Sequence, residues 1–372
     1  MSGAQAHFST SYAEAREHFL VSAGLVGARI EHIPHPLPGI EGEAVGIDIA
    51  HLGNPDPALR LIVCSGTHGL EGYCGSACQS RLLQSGAFLD LHAEVGVSFI
   101  HALNPWGFSH GRRVNEDNID LNRNFVDHAR GAYPPNPGYA ELADAINPRM
   151  LDPEALQAAN ERLARFRDEA GASVFQETMT RGQYEFADGV FYGGRKASWS
   201  NEALHAILGQ MRPGLVEAVF VDIHTGLGEF GIGELILEGD TDDPAFGRAQ
   251  LIWPGEPCAT QAGDSVSAAL AGTIDDAVTR TLAPAAVTPV ALEFGTVSGA
   301  EVFLSLREDN WLYAHGDPES AEAAPIKQAV RAAFYPETPV WMDAVLARTD
   351  SVCGRALDYL TTRAEQLTGR SD

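Results

Sequence analysis

The chain is poor in positive charge, with 25 lysine and arginine residues against 50 aspartate and glutamate residues and a formal net charge of −25. A surface this acidic repels the phosphates of nucleic acids and the anionic headgroups of lipids. We therefore expect neither nucleic acid nor a membrane as a partner, and we interpret the acidity chiefly as an aid to solubility. The 45% hydrophobic and 20% charged residues are otherwise normal for a globular protein of 372 residues.

Cysteine is scarce and long apolar runs are missing. An odd, scattered set of five cysteines argues against a disulfide framework. Cys74 and Cys78 lie in an apolar helical stretch, which favours small core residues over a metal site. The N-terminus has no basic start followed by an apolar segment, and no run approaches the length of a membrane span. These absences predict a cytoplasmic protein without a signal peptide.

Buried strands and helical stretches alternate along the sequence. Strands are predicted at 44–51, 60–65, 94–103, 217–223, 234–238 and 287–294. Helices are predicted at 11–25, 72–86, 262–282 and through most of 317–368. The alternation predicts the α/β class, with a mixed, mainly parallel twisted sheet flanked by helices. One catalytic domain is expected over 1–372, with residues 125–215 as a helical insertion or lid.

The first candidate metal ligands follow the predicted strand at 60–65. His68 and Glu71 are three positions apart, so in a tight turn or a first helical turn they share a face and can reach one ion. Zinc accepts histidine nitrogen and glutamate oxygen, and a catalytic zinc site has one further protein ligand. A solvated side-chain pair is the alternative interpretation of this spacing.

His224 is the candidate third ligand because it ends the buried run at 217–223. Asp222, two positions earlier, projects from the same face of the strand. A carboxylate beside a ligating histidine is the expected supporting partner. A packing role for His224 and an unrelated ion pair for Asp222 are the alternatives. Functional residues of open α/β sheets gather at the carboxyl ends of strands, as these candidates do.

Four further charged residues follow predicted strands. Arg112, Arg113 and Arg123 stand out in so acidic a chain, because a guanidinium can bind a carboxylate bidentately or stabilise an oxyanion. Ion pairs with nearby carboxylates are the alternative for each arginine. Glu293 is a lone carboxylate at the end of the last apolar strand. Burial there would raise its pKa and suit it to general acid and base catalysis, whereas a salt bridge is the commoner explanation.

Taken in order, these features resemble the zinc carboxypeptidase family. That family includes carboxypeptidase A-type enzymes, bacterial cell-wall peptide carboxypeptidases, and the aspartoacylase and succinylglutamate desuccinylase deacylases. The chain is similar to a bacterial branch of that family with unassigned substrate. The resemblance rests on the strand-end His224 and Glu293 and on three motifs, HGLEG at 68–72, NPWG at 104–107 and NEDNIDLNRNF at 115–125.

The resemblance implies a zinc carboxypeptidase-like fold and one zinc ion held by His68, Glu71 and His224. It also implies that Glu293 is the catalytic glutamate and that Arg113 polarises the scissile carbonyl. The reaction would then be hydrolysis of an amide bond in a small substrate that carries a carboxylate.

The resemblance further implies that Asn122 and Arg123 hold the substrate carboxylate, and Arg112 is the fallback for the arginine that polarises the carbonyl. The chain departs from the family in two respects. The gap from Arg123 to His224 is long for the family, which points to residues 125–215 as a lid or an oligomer contact. A mobile tyrosine usually precedes the catalytic glutamate by about twenty residues, but no tyrosine lies between Tyr192 and Tyr313. This departure weakens the case for an ordinary digestive-type carboxypeptidase.

Three functions remain open at this point. The first is a metallocarboxypeptidase acting on short peptides, and the second is a deacylase of N-acyl amino acids. The third is a metal-binding protein without catalysis, which the joint presence of Glu293 and the three ligands disfavours. The expected partner is a small peptide or acyl amino acid, and the oligomeric state is open.

Overall fold

A single mixed sheet runs through the residues that the structure, a computed structural model, describes, namely 3, 5–263 and 265–369. Its strands are β1 (Arg29–Pro34), β2 (Gly46–Gly53), β3 (Leu59–Ser65), β4 (Val95–His101), β5 (Glu217–Phe230), β6 (Gly233–Leu237), β7 (Pro257–Ala259) and β8 (Ala286–Gly295). The helices are α1 (Tyr12–Leu25), α2 (Gly72–Gln84), α3 (Pro105–Ser109), α4 (Pro137–Ile146), α5 (Pro153–Ala170), α6 (Ala172–Thr180), α7 (Trp199–Met211), α8 (Pro244–Ile252), α9 (Ile274–Leu282), α10 (Gly299–Ala314), α11 (Ala323–Phe334) and α12 (Pro339–Thr368).

Local sequence sets the start of several helices. Four of them begin at an Asn-Pro or Asp-Pro pair, whose Asn or Asp side chain accepts a hydrogen bond from a backbone N–H of the first turn. Proline fits the first helical position because no backbone donor is needed there. These pairs are Asn104-Pro105, Asn136-Pro137, Asp152-Pro153 and Asp243-Pro244.

The strand order is β1-β2-β4-β3-β5-β8-β6-β7. The four central strands, β4, β3, β5 and β8, are parallel to one another. Antiparallel pairing joins β1 to β2, β2 to β4 and β6 to β8. The prediction of a mixed, mainly parallel α/β sheet is therefore confirmed. The carboxyl ends of β3, β5 and β8 lie side by side, where a parallel sheet places its functional residues.

Both faces of the sheet are covered. In β3, Leu61 and Val63 face the cluster that includes residues of α1, α2 and α12, whereas Ile62 and Cys64 face the cluster that includes residues of α7 and α9. Burial on both faces explains why the central strands are predominantly apolar. Among the described residues, no helix combines the length and apolarity that crossing a membrane requires.

The structure corrects the predicted helix at 262–282, because only α9 is helical there. The preceding segment is pinned to a neighbouring loop: Gly272 has a φ of 74°, and its carbonyl accepts the backbone N–H of Phe125 at 3.0 Å. A Cβ at Gly272 would lie 2.5 Å from the Arg123 carbonyl oxygen, so the close approach requires glycine. The exposed edge strand β1 and the short β7 were not predicted from the sequence.

The predicted insertion at 125–215 has two parts. Helices α4, α5 and α6 pack against one another and contain no strand. Helix α7 instead contributes Leu204 and Leu208 to the core on one face of the sheet, beside α9. The lid interpretation therefore applies to α4–α6 alone and remains a proposal, whereas α7 belongs to the layer that supports the sheet.

Helix α12 supports the strand that carries Glu293. Trp341 is fully buried, and its indole N–H donates to the carbonyl of Gly295 at the end of β8. We expect Trp341→Ala to lower the free energy of unfolding by about 3–5 kcal/mol, because it removes a large buried side chain and leaves a cavity. Denaturant unfolding measures this change. The neighbouring Val340, which is 74% exposed, supplies the control Val340→Ala, for which the expected change is below about 0.5 kcal/mol.

Candidate metal centre and its cavity

Three neighbouring strands deliver the predicted site residues to one edge of the sheet. His68 and Glu71 lie in the turn that joins β3 to α2, and His224 lies within β5. Glu293 lies in β8 directly opposite His224 in the strand register. Because β3, β5 and β8 are adjacent and parallel, residues separated by more than two hundred positions meet at this edge.

The three predicted metal ligands converge on the carboxylate of Glu71. Its Oε1 lies 2.8 Å from Nδ1 of His68, and its Oε2 lies 2.9 Å from Nδ1 of His224. One ligand atom from each residue falls within 4.8 Å of the others, and all three side chains are buried. Burial opposes the charge of Glu71, but His68, His224 and Arg113 hold its pKa below the usual value.

A second carboxylate fixes each imidazole from behind. Nε2 of His68 lies 3.0 Å from Oδ1 of Asp120, and Nε2 of His224 lies 2.6 Å from Oδ2 of Asp222. The hydroxyl of Thr67 donates to both Asp222 oxygens, at 3.0 and 2.8 Å. Such partners orient a ligating histidine and increase its basicity. Sequence reasoning singled out Asp222 but missed Asp120, whose role no local pattern reveals.

The donor set fits a zinc ion. Nδ1 of His68 is buried without a hydrogen bond, although Oε1 of Glu71 is only 2.8 Å away. Burial would lower the pKa of His224, but Asp222 and Glu71 raise it well above the usual value, which marks a position that favours a cation. Two imidazoles and one carboxylate are a ligand set of catalytic zinc sites. His68, Glu71 and His224 are the residues that would hold the ion.

Arg113 lies against the same carboxylates. Its Nη1 donates to Oε1 of Glu71 at 2.7 Å and its Nε donates to Oδ2 of Asp120 at 3.2 Å. Its carbonyl oxygen accepts the backbone N–H of Gly69 at 3.1 Å. A Cβ at Gly69 would lie 2.1 Å from the Gly107 carbonyl carbon, so glycine alone permits this close packing. The turn that carries the ligands and the loop that carries Arg113 are thereby joined.

Arg112, the fallback candidate, points elsewhere. Its Nε donates to Oδ2 of Asp309 at 3.0 Å and its Nη2 donates to Asn118. Its guanidinium carbon lies 3.7 Å from the centre of the Tyr313 ring. The side chain is buried by these contacts and does not line the cavity described next. These partners account for Arg112 without a substrate.

A cavity of about 720 Å³ opens onto the candidate metal centre. His68, His224, Glu293 and Arg113 form part of its wall. Helices α5 and α6 contribute Leu163, Phe175 and Met179, and the segment from α10 contributes Phe303. No tyrosine lines the cavity among the residues that the structure describes.

Glu293 has the surroundings of a general base. Its side chain is partly buried in the cavity wall, and its Oε1 accepts the backbone N–H of Leu227 at 2.9 Å. Burial, followed by the charge of Glu71, raises the pKa of Glu293 to about 7, against the opposing effects of His224 and Arg113. A carboxyl group with a pKa near neutrality can both accept and return a proton.

Arg123 and Asn122 line the same cavity. The guanidinium of Arg123 donates only to backbone carbonyls, those of Thr180 and Asn122, and it forms no ion pair within the described part of the chain. Oδ1 of Asn122 accepts the backbone N–H of Ile274 at 2.8 Å. Arg123 is therefore a buried cation without a carboxylate partner of its own. This is the property expected of a residue that binds a substrate carboxylate.

Fold and site together define an α/β protein with a candidate metal centre at the carboxyl edge of its parallel strands. Residues 8–348 match the family described as "Protein of unknown function (DUF2817)", and the chain belongs to that family. A comparison with curated proteins found no match.

The chain is similar to several solved structures. For a carboxypeptidase A from Helicoverpa armigera the identity is 14%, the alignment covers 88% of this chain and 75% of that one, and the TM-score is 0.43. For a metallo-carboxypeptidase from Burkholderia cenocepacia the identity is 13%, the alignment covers 93% of this chain and 71% of that one, and the TM-score is 0.42. For an aspartoacylase family protein from Mesorhizobium loti the identity is 14%, the alignment covers 78% of this chain and 67% of that one, and the TM-score is 0.39. Its structural neighbours thus include two carboxypeptidases and one aspartoacylase family protein.

The carboxylates behind the two histidines should set the metal affinity. We expect Asp120→Asn and Asp222→Asn each to weaken zinc binding by about 10–100-fold, because each removes the charge that orients an imidazole. Competition with a chromogenic chelator measures the affinity. His205→Ala is the control, since His205 hydrogen-bonds to Thr281 away from the cavity and its loss should leave zinc binding unchanged. Unchanged affinity in both aspartate variants would contradict the assignment.

Proposed function

We propose that the protein is a zinc-dependent hydrolase that cleaves an amide bond in a small substrate bearing a carboxylate, in the manner of a metallocarboxypeptidase acting on short peptides. One observation carries this proposal. A single cavity is lined by the two histidines of a His-Glu-His donor set, by Glu293 opposite His224, and by the buried Arg123, which forms no ion pair among the described residues.

Zinc bound at His68, Glu71 and His224 would supply Lewis-acid chemistry, which lowers the pKa of water and polarises a carbonyl group. Glu293 is the residue that takes the proton from the attacking water on its carboxylate and later returns it to the leaving amine. The raised pKa of Glu293, about 7, suits both transfers. The backbone N–H of Leu227 orients its Oε1 and leaves the second oxygen for the proton.

Two arginines have separate roles, one toward the scissile carbonyl and one toward the substrate carboxylate. Arg113 lines the cavity beside Glu71, where its guanidinium is placed to stabilise the oxyanion that develops on the scissile carbonyl. Arg123 and the side-chain amide of Asn122 bind the substrate carboxylate. That contact supplies position rather than bond-breaking chemistry, because it is made equally before and during the reaction.

Deacylation of an N-acyl amino acid is the second candidate, and the walls of the cavity favour it alongside peptide hydrolysis. Leu163, Phe175 and Met179 of α5 and α6 form part of the cavity wall. A bounded volume of about 720 Å³ suits a small molecule better than the end of a long polypeptide. A panel of N-acetylated dipeptides, longer peptides, cell-wall peptides and acyl amino acids, assayed with zinc-loaded protein, distinguishes the two reactions.

Glu293 should be required for turnover but not for metal binding. We expect Glu293→Gln to lower kcat by about 10²–10⁴-fold, because the amide cannot accept a proton, while the zinc content of the purified protein stays unchanged. Activity of the unsubstituted protein should fall as the pH is lowered through the pKa of Glu293, since only the carboxylate form accepts the proton. Glu229→Gln, an exposed residue near the end of β5, is the charge-matched control.

The Arg123 assignment predicts a dependence on the substrate carboxylate. Substrates with a free carboxylate should be preferred over the same substrates as amides, and Arg123→Met should reduce this preference by at least about 30-fold, as expected for a buried charge pair worth about 2 kcal/mol or more. The ratio of kcat/KM for acid and amide measures it. Arg130→Met, which changes a largely exposed arginine of the same loop, should leave the ratio intact. An unchanged ratio in Arg123→Met would refute the assignment.

A further inference from the structure

The cavity contains a second polar region on the side of α9. Asp275 lies in the first turn of that helix, is only 6% exposed and lines the cavity. Its Oδ1 has no hydrogen-bond partner among the residues that the structure describes. The hydroxyl of Thr273, two residues earlier, is 2% exposed, lines the same cavity and also lacks a partner. Two unpartnered polar atoms therefore border one wall of the cavity.

Asp275 is an exception among the buried carboxylates of the described residues. Each of the others contacts an arginine or a histidine: Asp48 contacts Arg16, Glu71 contacts Arg113, Asp120 contacts Arg113, Glu217 contacts Arg363, Asp222 contacts His224, and Asp309 contacts Arg112. Asp275 has no such ion pair within the described part of the chain. The charged form of an unpaired buried carboxyl group is costly, so a cation from outside the chain would stabilise that form.

Neighbouring charges add to this cost. Glu238, partly buried in the same cavity wall, accepts a hydrogen bond from the Thr260 hydroxyl at 3.0 Å and forms no ion pair among the described residues. Burial, followed by the charges of Glu238 and Asp222, raises the pKa of Asp275 well above its usual value. This wall of the cavity is thus rich in carboxylates. The charge of Arg123 favours the carboxylate of Glu238 and that of His224 favours the carboxylate of Asp275, but among the described residues no basic side chain forms an ion pair with either.

The segment that carries Asp275 is hydrogen-bonded to the loop that carries the residues that would bind the substrate carboxylate. The Asn122 side chain accepts the backbone N–H of Ile274, the first residue of α9, and the Phe125 N–H binds the Gly272 carbonyl. Arg123 lies between these two contacts in sequence and lines the cavity, with its guanidinium held by the carbonyls of Asn122 and Thr180. Arg123 and Asp275 therefore border the same cavity on segments that are hydrogen-bonded to each other.

We propose that Asp275, with Glu238 and the Thr273 hydroxyl beside it, binds a primary ammonium or guanidinium group on the side chain of the substrate residue whose carboxylate binds Arg123. This inference rests on the proposed function, because it names the substrate class of the same cavity. The substrate would be a short peptide or acyl amino acid that ends in a basic residue. Asp275 is then a specificity-determining residue and takes no part in bond cleavage.

The test compares substrates that differ only in the charged group. N-acetylated dipeptides ending in lysine and in norleucine are assayed with zinc-loaded protein, since norleucine keeps the lysine chain and lacks its ammonium group. We expect lysine to be preferred in kcat/KM by at least about tenfold, in keeping with the selectivity of sites that pair a buried polar group with the substrate. Asp275→Asn should reduce the ratio to about one while leaving kcat/KM for norleucine within about threefold, because the amide conserves the volume of the side chain.

The matched control is Asp276→Asn, which removes the same charge from the adjacent, exposed position and should retain the lysine preference. Binding of the two dipeptides to the zinc-loaded Glu293→Gln protein, measured by calorimetry, gives a second readout that needs no turnover. Turnover without a lysine preference overturns the role of Asp275 and leaves the proposed function standing. Tighter binding of the lysine dipeptide without turnover of any substrate supports Asp275 and refutes the hydrolase. Equal binding without turnover refutes both.

Discussion

The buried carboxylate of Glu71 is the contact on which the site depends. Two imidazoles and one guanidinium approach its two oxygens, and each of these groups comes from a different segment of the chain. So dense a set of polar groups is stable in a protein interior only when each is paired or when an ion compensates them. The carboxylates of Asp120 and Asp222 behind the histidines extend this network, so the candidate metal ligands and their hydrogen-bond partners form one electrostatic unit.

The parallel centre of the sheet makes this unit possible. Parallel strands end at one edge, so a turn after β3, a residue of β5 and a residue of β8 meet without any irregular element between them. Helices cover both faces of these strands and bury their apolar side chains. Polar side chains can therefore gather at the edge of the sheet. Residues of α5 and α6 line the cavity together with the residues at this edge.

Strand-end chemistry is the part of the site that a sequence reveals best. A continuous apolar run predicts both a buried strand and the point at which it ends. Four site residues follow or end such a run: His68, Glu71, His224 and Glu293. Asp120 could not be found in this way, because its contact with His68 depends on how a loop folds back across the sheet. The edge strand β1 escaped prediction for a related reason, since most of its residues are exposed and carry no burial pattern.

Charge distinguishes the inside of this protein from its outside. A net charge of −25 disfavours the approach of anions, yet Arg113 and Arg123 line the cavity together with Asp275 and Glu238. An anionic substrate alone would have to enter against the overall field, whereas a molecule with both a carboxylate and a side-chain cation carries little net charge into it. The arginines then need to act only over the short distances within the cavity, where lower polarity strengthens their effect. The acidic surface and the mixed charges of the cavity are therefore compatible features of one binding process.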